Sequence, residues 1–158
     1  MKRYLFFFIL LSLCIDSFAQ KLSSEEEQYL DSLELVYSSN LNNCEKAELL
    51  MNYVEVIYKV DRDTVLELCY EAIELLEGEN DTFCLKIIGT AYNNIGVVSD
   101  DKGHMMEAVK SYESSILIFE QIDDKKGIAT AYTNIGYIYK SLHEFQKCLE
   151  FNKKALAY

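Results

Sequence analysis

The chain has 158 residues, of which 26 are acidic and 15 basic, for a formal net charge of −11, and half of its residues are hydrophobic. So acidic a surface repels phosphate backbones and anionic headgroups, which argues against a nucleic-acid role for these residues and favours neutral or basic partners. The length suffices for one sizeable core, and beyond the amino-terminal run no stretch is long and apolar enough to span a bilayer.

Lys2 and Arg3 precede an apolar run from Tyr4 to Ile15, followed by Asp16 and Ser17-Phe18-Ala19-Gln20. A basic start, a short apolar stretch and a small-x-small step are the order of a secretory signal peptide, so residues 1–19 are predicted to be removed and the chain exported, to the periplasm or the periplasmic face of a membrane receptor. Leu13 stands where a lipoprotein box wants a small residue before Cys14, which speaks against lipidation.

Residues 20–43 are expected to form a helix and a linker. Ser24 with Glu27 reads as a capping box opening a helix to residue 37, with Tyr29, Leu30, Leu33 and Val36 on one face. A helix over 44–60 follows, its apolar side carrying Leu49, Tyr53, Val56, Ile57 and Val60. Thr64 with Glu67 reads as a second capping box, and Val65, Leu68, Cys69, Ala72, Ile73 and Leu76 then recur at helical spacing. The next pair covers 82–101, with Ile88, Ala91, Tyr92, Ile95 and Val98 apolar and Gly103 as its stop, and 104–122, with Ala108, Val109, Tyr112, Ser115, Ile116 and Phe119 inward. A third pair begins at Asp123-Asp124: Ile128, Ala131, Tyr132, Ile135, Ile138 and Leu142 on its first helix, Phe145, Cys148, Leu149, Ala155 and Leu156 on its second. No strand alternation competes and proline is absent, so the fold class is all-α.

The pattern K-x-I-x-T-A-Y-x-N-I-G runs from Lys86 to Gly96 and again from Lys126 to Gly136. A repeat of this period marks one supersecondary unit stacked on its neighbour. The units fall at about 44–81, 82–122 and 123–158, the last incomplete. Gly96 and Gly136, opposite Ala108/Cys148 and Ser115/Ala155, leave room for paired helices to cross closely, while Tyr92/Tyr132 and Ile95/Ile135 fill the space towards the next pair.

These residues resemble tetratricopeptide repeats. Tyr92, Ile95-Gly96, Ala108, Tyr112 and Ser115 match the pattern best; the third unit keeps Tyr132, Ile135, Gly136, Cys148 and Ala155 but has Asn152 where an aromatic belongs, and the first is degenerate, with Tyr53 in place of the glycine. The resemblance implies a right-handed α-solenoid with a non-catalytic role in binding a protein or peptide. Long repeats of this type behind a signal peptide are similar to the exported sensor regions of bacterial histidine kinases and LuxR-type regulators. The expected whole is therefore the front of such a receptor, without its output domain, the alternative being a stand-alone periplasmic assembly adaptor. In peptide-binding relatives, asparagines one turn before the small residue line the groove; the matching positions are Asn94 and Asn134, with Asn93 and Thr133 beside them and Val97 and Tyr137 one step on. A carboxamide both donates and accepts, which suits an extended peptide backbone.

His104 and His143 lack a neighbouring nucleophile or carboxylate arrangement, so no catalytic residue is assigned, and no cofactor motif appears. No close Cys/His grouping suggests a metal. Cys69 and Cys148 fall on apolar stripes. Cys44 and Cys84 lie near the starts of neighbouring helices, where export would permit a bridge that the spacing alone does not establish. The last unit stops inside its second helix, and the uncovered end is expected to be able to self-associate.

Overall fold

The computed structural model describes residues 23–37 and 40–158, so the predicted leader lies outside the described residues. Seven helices are present among them and no strand: α1 (Ser24–Tyr37), α2 (Asn43–Ile57), α3 (Arg62–Leu75), α4 (Thr82–Asp101), α5 (Met105–Gln121), α6 (Lys125–Ser141) and α7 (Phe145–Leu156). Pairs α2–α3, α4–α5 and α6–α7 stack in sequence, each second helix packing on the first helix of the next pair, and α1 covers the open side of α2.

Both predicted capping boxes are corrected. The first sits one residue earlier, where Ser23 and Glu26 exchange backbone and side-chain bonds. In α3 the cap is Asp61, not Thr64: its carboxylate accepts from the amides of Asp63 and Thr64 at 2.9 and 3.2 Å, so the helix starts a residue after Asp61 and Thr64 lies inside it. An ionised oxygen reaching two orphan amides outcompetes a hydroxyl further along. A full box does form at α2, between Asn42 and Glu45.

The turns inside the second and third pairs close alike. The amide of His104 donates to the carbonyl of Ser99 at 2.8 Å, and that of Glu144 to Tyr139 at 2.9 Å. The left-handed residue this closure requires is Gly103 (φ 79°) in one pair but His143 (φ 61°) in the other, so His143 holds a turn shape that costs a side-chain-bearing residue about 1–2 kcal/mol.

The core comprises two adjoining clusters. One runs from α1 to α4 and includes Leu50, Val54, Leu68, Cys69, Leu76, Ala91, Ile95 and Val98; the other joins α5 to α7 and includes Ala108, Tyr112, Ile116, Phe119, Ile128, Ile135 and Ile138. Where they meet, α4 presents glycine to the rings of α5. A Cβ at Gly96 would lie 2.6 Å from the Tyr112 ring, and one at Gly89 would lie 2.7 Å from the Phe119 ring. Beside them the buried Ser115 hydroxyl donates to the Gly89 carbonyl at 2.7 Å, which satisfies that polar group. In the third pair the side chain facing Gly136 is Asn152, which occupies the place of Tyr112.

The outer helices bury less than their periodicity suggests. Among the described side chains of α1, Leu30 and Leu33 are buried, while Tyr29 and Val36 are exposed. In α7 the half-buried residues are Cys148, Phe151 and Ala155; Phe145, Leu149 and Leu156, predicted to face inward, are 64, 56 and 87% exposed, and Leu142 is exposed as well. The physical reason is that the faces of α3 and α5 that carry such residues are covered by the first helix of the next pair, and no helix follows α7 in the described residues. The predicted helix over 44–60 ends at Ile57.

Gly96→Ala must push the buried Tyr112 ring aside and is expected to lower unfolding free energy by about 1–3 kcal/mol. Gly136→Ala meets the end of an exposed Asn152 side chain, and the gain of about 1 kcal/mol in helix propensity offsets the contact. Urea unfolding of the two variants checks the contrast; equal losses would contradict it.

Candidate functional site

The repeated K-x-I-x-T-A-Y-x-N-I-G segments lie on α4 and α6, and its polar positions repeat at i, i+4 and i+8, one side of a helix. Between the two helices opens a cleft of about 240 Å³ lined by Lys86, Thr90, Asn93, Phe119, Lys126 and Thr130, among others. Its floor is the Phe119 ring, which sits against both Gly89 and Gly127; a Cβ at Gly127 would lie 2.6 Å from it.

Two bonds cross from α4 towards α6 here. Asn134 Nδ2 donates to Asn93 Oδ1 at 3.3 Å, and Lys86 Nζ lies 3.4 Å from Asp124 Oδ2. The Asp124 carboxyl is held below the usual carboxylate range, first by the Gly127 amide that it accepts as helix cap and then by Lys86. The asparagine contact uses one N–H and one carbonyl, so each carboxamide keeps further hydrogen-bonding capacity, that of Asn93 on the lining of the cleft.

Of the residues predicted to line a groove, Asn93 and Asn134 are thus brought together. Asn94 is half-buried. Val97 is half-buried and packs on the second cluster, across the boundary from its own helix. Tyr137 is 62% exposed, and the exposed Thr133 donates its hydroxyl to the Ala129 carbonyl of its own helix at 2.8 Å. Among the packing residues, Ile95, Gly96, Ala108, Tyr112, Ser115, Ile135 and Gly136 are buried, and Tyr92, Tyr132, Cys148 and Ala155 are half-buried. Tyr132 keeps company with Phe151 and Tyr158, ring centroids 6.1 Å away in each case.

Sequence reasoning missed Lys86, Thr90, Lys126 and Thr130. The signal was present: these polar residues, exposed except for the half-buried Thr90, are identical in two units whose other exposed positions differ. Their hydroxyls bond back to Lys86 and Lys126 carbonyls at 2.9 and 2.8 Å, which fixes their rotamers and leaves the oxygens able to accept.

The first two pairs are tied differently. Cys44 and Cys84 form a disulfide, with Cα atoms 5.4 Å apart, joining the amino-terminal turns of α2 and α4. At the far ends of these helices the Asp101 carboxylate accepts from the Tyr58 hydroxyl at 2.7 Å and from Arg62 Nε at 2.8 Å, and Lys102 pairs with Asp63. Those donors hold the Asp101 carboxyl below its ordinary range, while burial and the neighbouring carboxylate push the Tyr58 phenol up to about 12. Asp101 therefore belongs to the joint with the first pair.

The histidines have structural surroundings. His104 lies 3.4 Å from Glu107, one turn on, and His143 has its ring edge-on to Phe145.

Residues 129–158 match the family model of the tetratricopeptide repeat. This stretch of the chain is a tetratricopeptide repeat. The repeat is a module that generally binds proteins or peptides. Among solved structures, BtubC of P. vanneervenii shares the fold at 18% identity, over 85% of this chain and 54% of that one, with a TM-score of 0.63. The chain thus spans about half the length of BtubC. MamA aligns at 19% identity over 90% of this chain and 92% of its own, with a TM-score of only 0.40. No curated protein matches the chain significantly.

Closing a loop over the 40-residue separation of Cys44 and Cys84 stabilises the oxidised chain by about 4 kcal/mol on chain-entropy grounds. Cys44→Ser with Cys84→Ser should show that loss in denaturant unfolding. A change within about 0.5 kcal/mol would mean that the bridge adds nothing to the joint.

Proposed function

We propose that the tetratricopeptide repeats bind an extended peptide or protein segment along the cleft between α4 and α6, without catalysis. The observation that carries this reading is the pairing of Asn93 and Asn134 across neighbouring first helices, beside an open cleft with lysine and threonine on both walls. An extended backbone presents alternating N–H and C=O groups, and a row of carboxamides and hydroxyls offers both partners without demanding a side-chain sequence. Tyr137, 62% exposed on α6, offers an aromatic ring that gives contact at small entropic cost.

We further propose that the chain works outside the inner membrane, as the sensory front of a signal-transduction receptor of the histidine kinase or LuxR-type class. The leader-like order of residues 1–19 supports export, and the Cys44–Cys84 bridge supports an oxidising compartment. A stand-alone periplasmic adaptor would use the same groove.

The test is binding of the chain to an array of unstructured synthetic peptides. Asn93→Ala with Asn134→Ala should weaken the best peptide about tenfold or more, two backbone hydrogen bonds being worth about 1–3 kcal/mol together. Binding unchanged in that variant would remove the groove mechanism. An amino terminus at Gln20 on the exported chain supports the location; an intact leader on a cytoplasmic chain would overturn it.

A further inference from the structure

The fold makes a grouping that the sequence does not display. Cys44, Glu79 and Cys84 come from α2, the turn after α3, and α4, and their sulfur and carboxylate oxygen atoms all lie within 4.8 Å of one another. They border an open cleft of about 730 Å³ that Asn42, Asp81 and Phe83 help to line. We propose that this cluster has two alternative closures: the disulfide under oxidising conditions and, once reduced, a thiophilic divalent cation held by both thiolates and Glu79.

The donor chemistry fits such an ion. Tetrahedral zinc takes sulfur at about 2.3 Å and carboxylate oxygen at about 2.0–2.2 Å, which sets neighbouring ligand atoms roughly 3.5–3.8 Å apart. Once the bond is reduced the two sulfurs must part to that spacing, which Cα atoms 5.4 Å apart allow, and the Glu79 oxygen already lies within 4.8 Å of both. Cys84 is buried, Cys44 half-buried and Glu79 exposed, so the ion would be anchored from below and entered from the cleft. The fourth position is left to water or to the neighbouring Asp81 carboxylate, whose Oδ1 accepts from the Phe83 amide at 2.9 Å as the α4 cap and lies 3.7 Å from Cys84 Sγ.

Charge favours the same arrangement. Two thiolates and a carboxylate around a divalent ion leave one net negative charge, and it sits at the amino-terminal turns of α2 and α4, the positive ends of both helix dipoles. The chemistry balances with a small-molecule thiol as reductant. Two of its thiols are oxidised to their own disulfide as the Cys44–Cys84 bond breaks to two protein thiols. These lose two protons on forming two metal–sulfur bonds, and the cation changes no oxidation state. Either closure ties the first pair to the second at one point, so the joint survives a change of compartment.

The experiment uses the full chain reduced with a phosphine, titrated with Zn²⁺ and separately with Co²⁺ as a spectroscopic probe. The expected result is one Zn²⁺ per chain, with a tetrahedral cobalt spectrum carrying sulfur charge transfer. Cys44→Ser with Cys84→Ser should abolish the charge transfer, Glu79→Gln should weaken Zn²⁺ binding at least about tenfold, and the oxidised chain should bind none. If reduction unfolds the first pair, Zn²⁺ must restore its helicity. Absence of sulfur charge transfer, binding untouched by Glu79→Gln, loss through Cys148→Ser instead, or failure of Zn²⁺ to restore lost helicity would each overturn the proposal.

Discussion

The joint between the two core clusters is made by aromatic rings seated on glycines. Side chains on α1 to α4 fill one cluster and those on α5 to α7 fill the other, with Val97 and Ile118 reaching across the boundary. What unites them is backbone approach: Tyr112 lies on Gly96, and Phe119 lies between Gly89 and Gly127. A close-packed interior gives no room for an added methyl at such a contact. Because Phe119 touches both α4 and α6, the same ring that binds the clusters also sets the separation of the walls of the cleft.

Most of this architecture was legible in the residues. Helical periodicity placed every helix of the described chain, and α4 was bounded to the residue, because Asp81 caps one end and Gly103 ends the other. The repeated glycine announced the crossing of paired helices. Periodicity could not reveal which apolar stripe would find a partner, so Phe145, Leu149 and Leu156 were assigned inward although burial depends on a neighbouring helix. The capping boxes were misplaced for a related reason: several side chains within a turn could serve, and the choice rests on which oxygen reaches the free amides. The candidate site was half legible. Asparagines stood out through the family resemblance, whereas Lys86, Thr90 and their partners required the fold to show that two helices place them on one opening. The Cys44–Glu79–Cys84 grouping spans a whole repeat in sequence and could not be seen before the pairs were stacked.

The ties between pairs differ in strength, and this bears on how the cleft works. A disulfide at one end and the Tyr58, Arg62 and Asp101 cluster at the other clamp the first pair to the second. The second and third pairs are joined across their first helices by a single ion pair and a single amide contact, each worth no more than about 1 kcal/mol where water has access. The polar ties across the cleft are therefore the weaker ones, and α6 is held to the second pair mainly by the apolar cluster it shares with α5.

Native-state hydrogen exchange of the oxidised chain at increasing denaturant tests the ring-on-glycine joint most directly. The joint predicts that the amides of α4 and α5 share the highest protection and exchange only with global unfolding, while those of α7 open earlier. If α2 to α4 and α5 to α7 instead exchanged as two separate units, with α4 and α5 parting before either cluster unfolded, the joint would not be what holds this protein together.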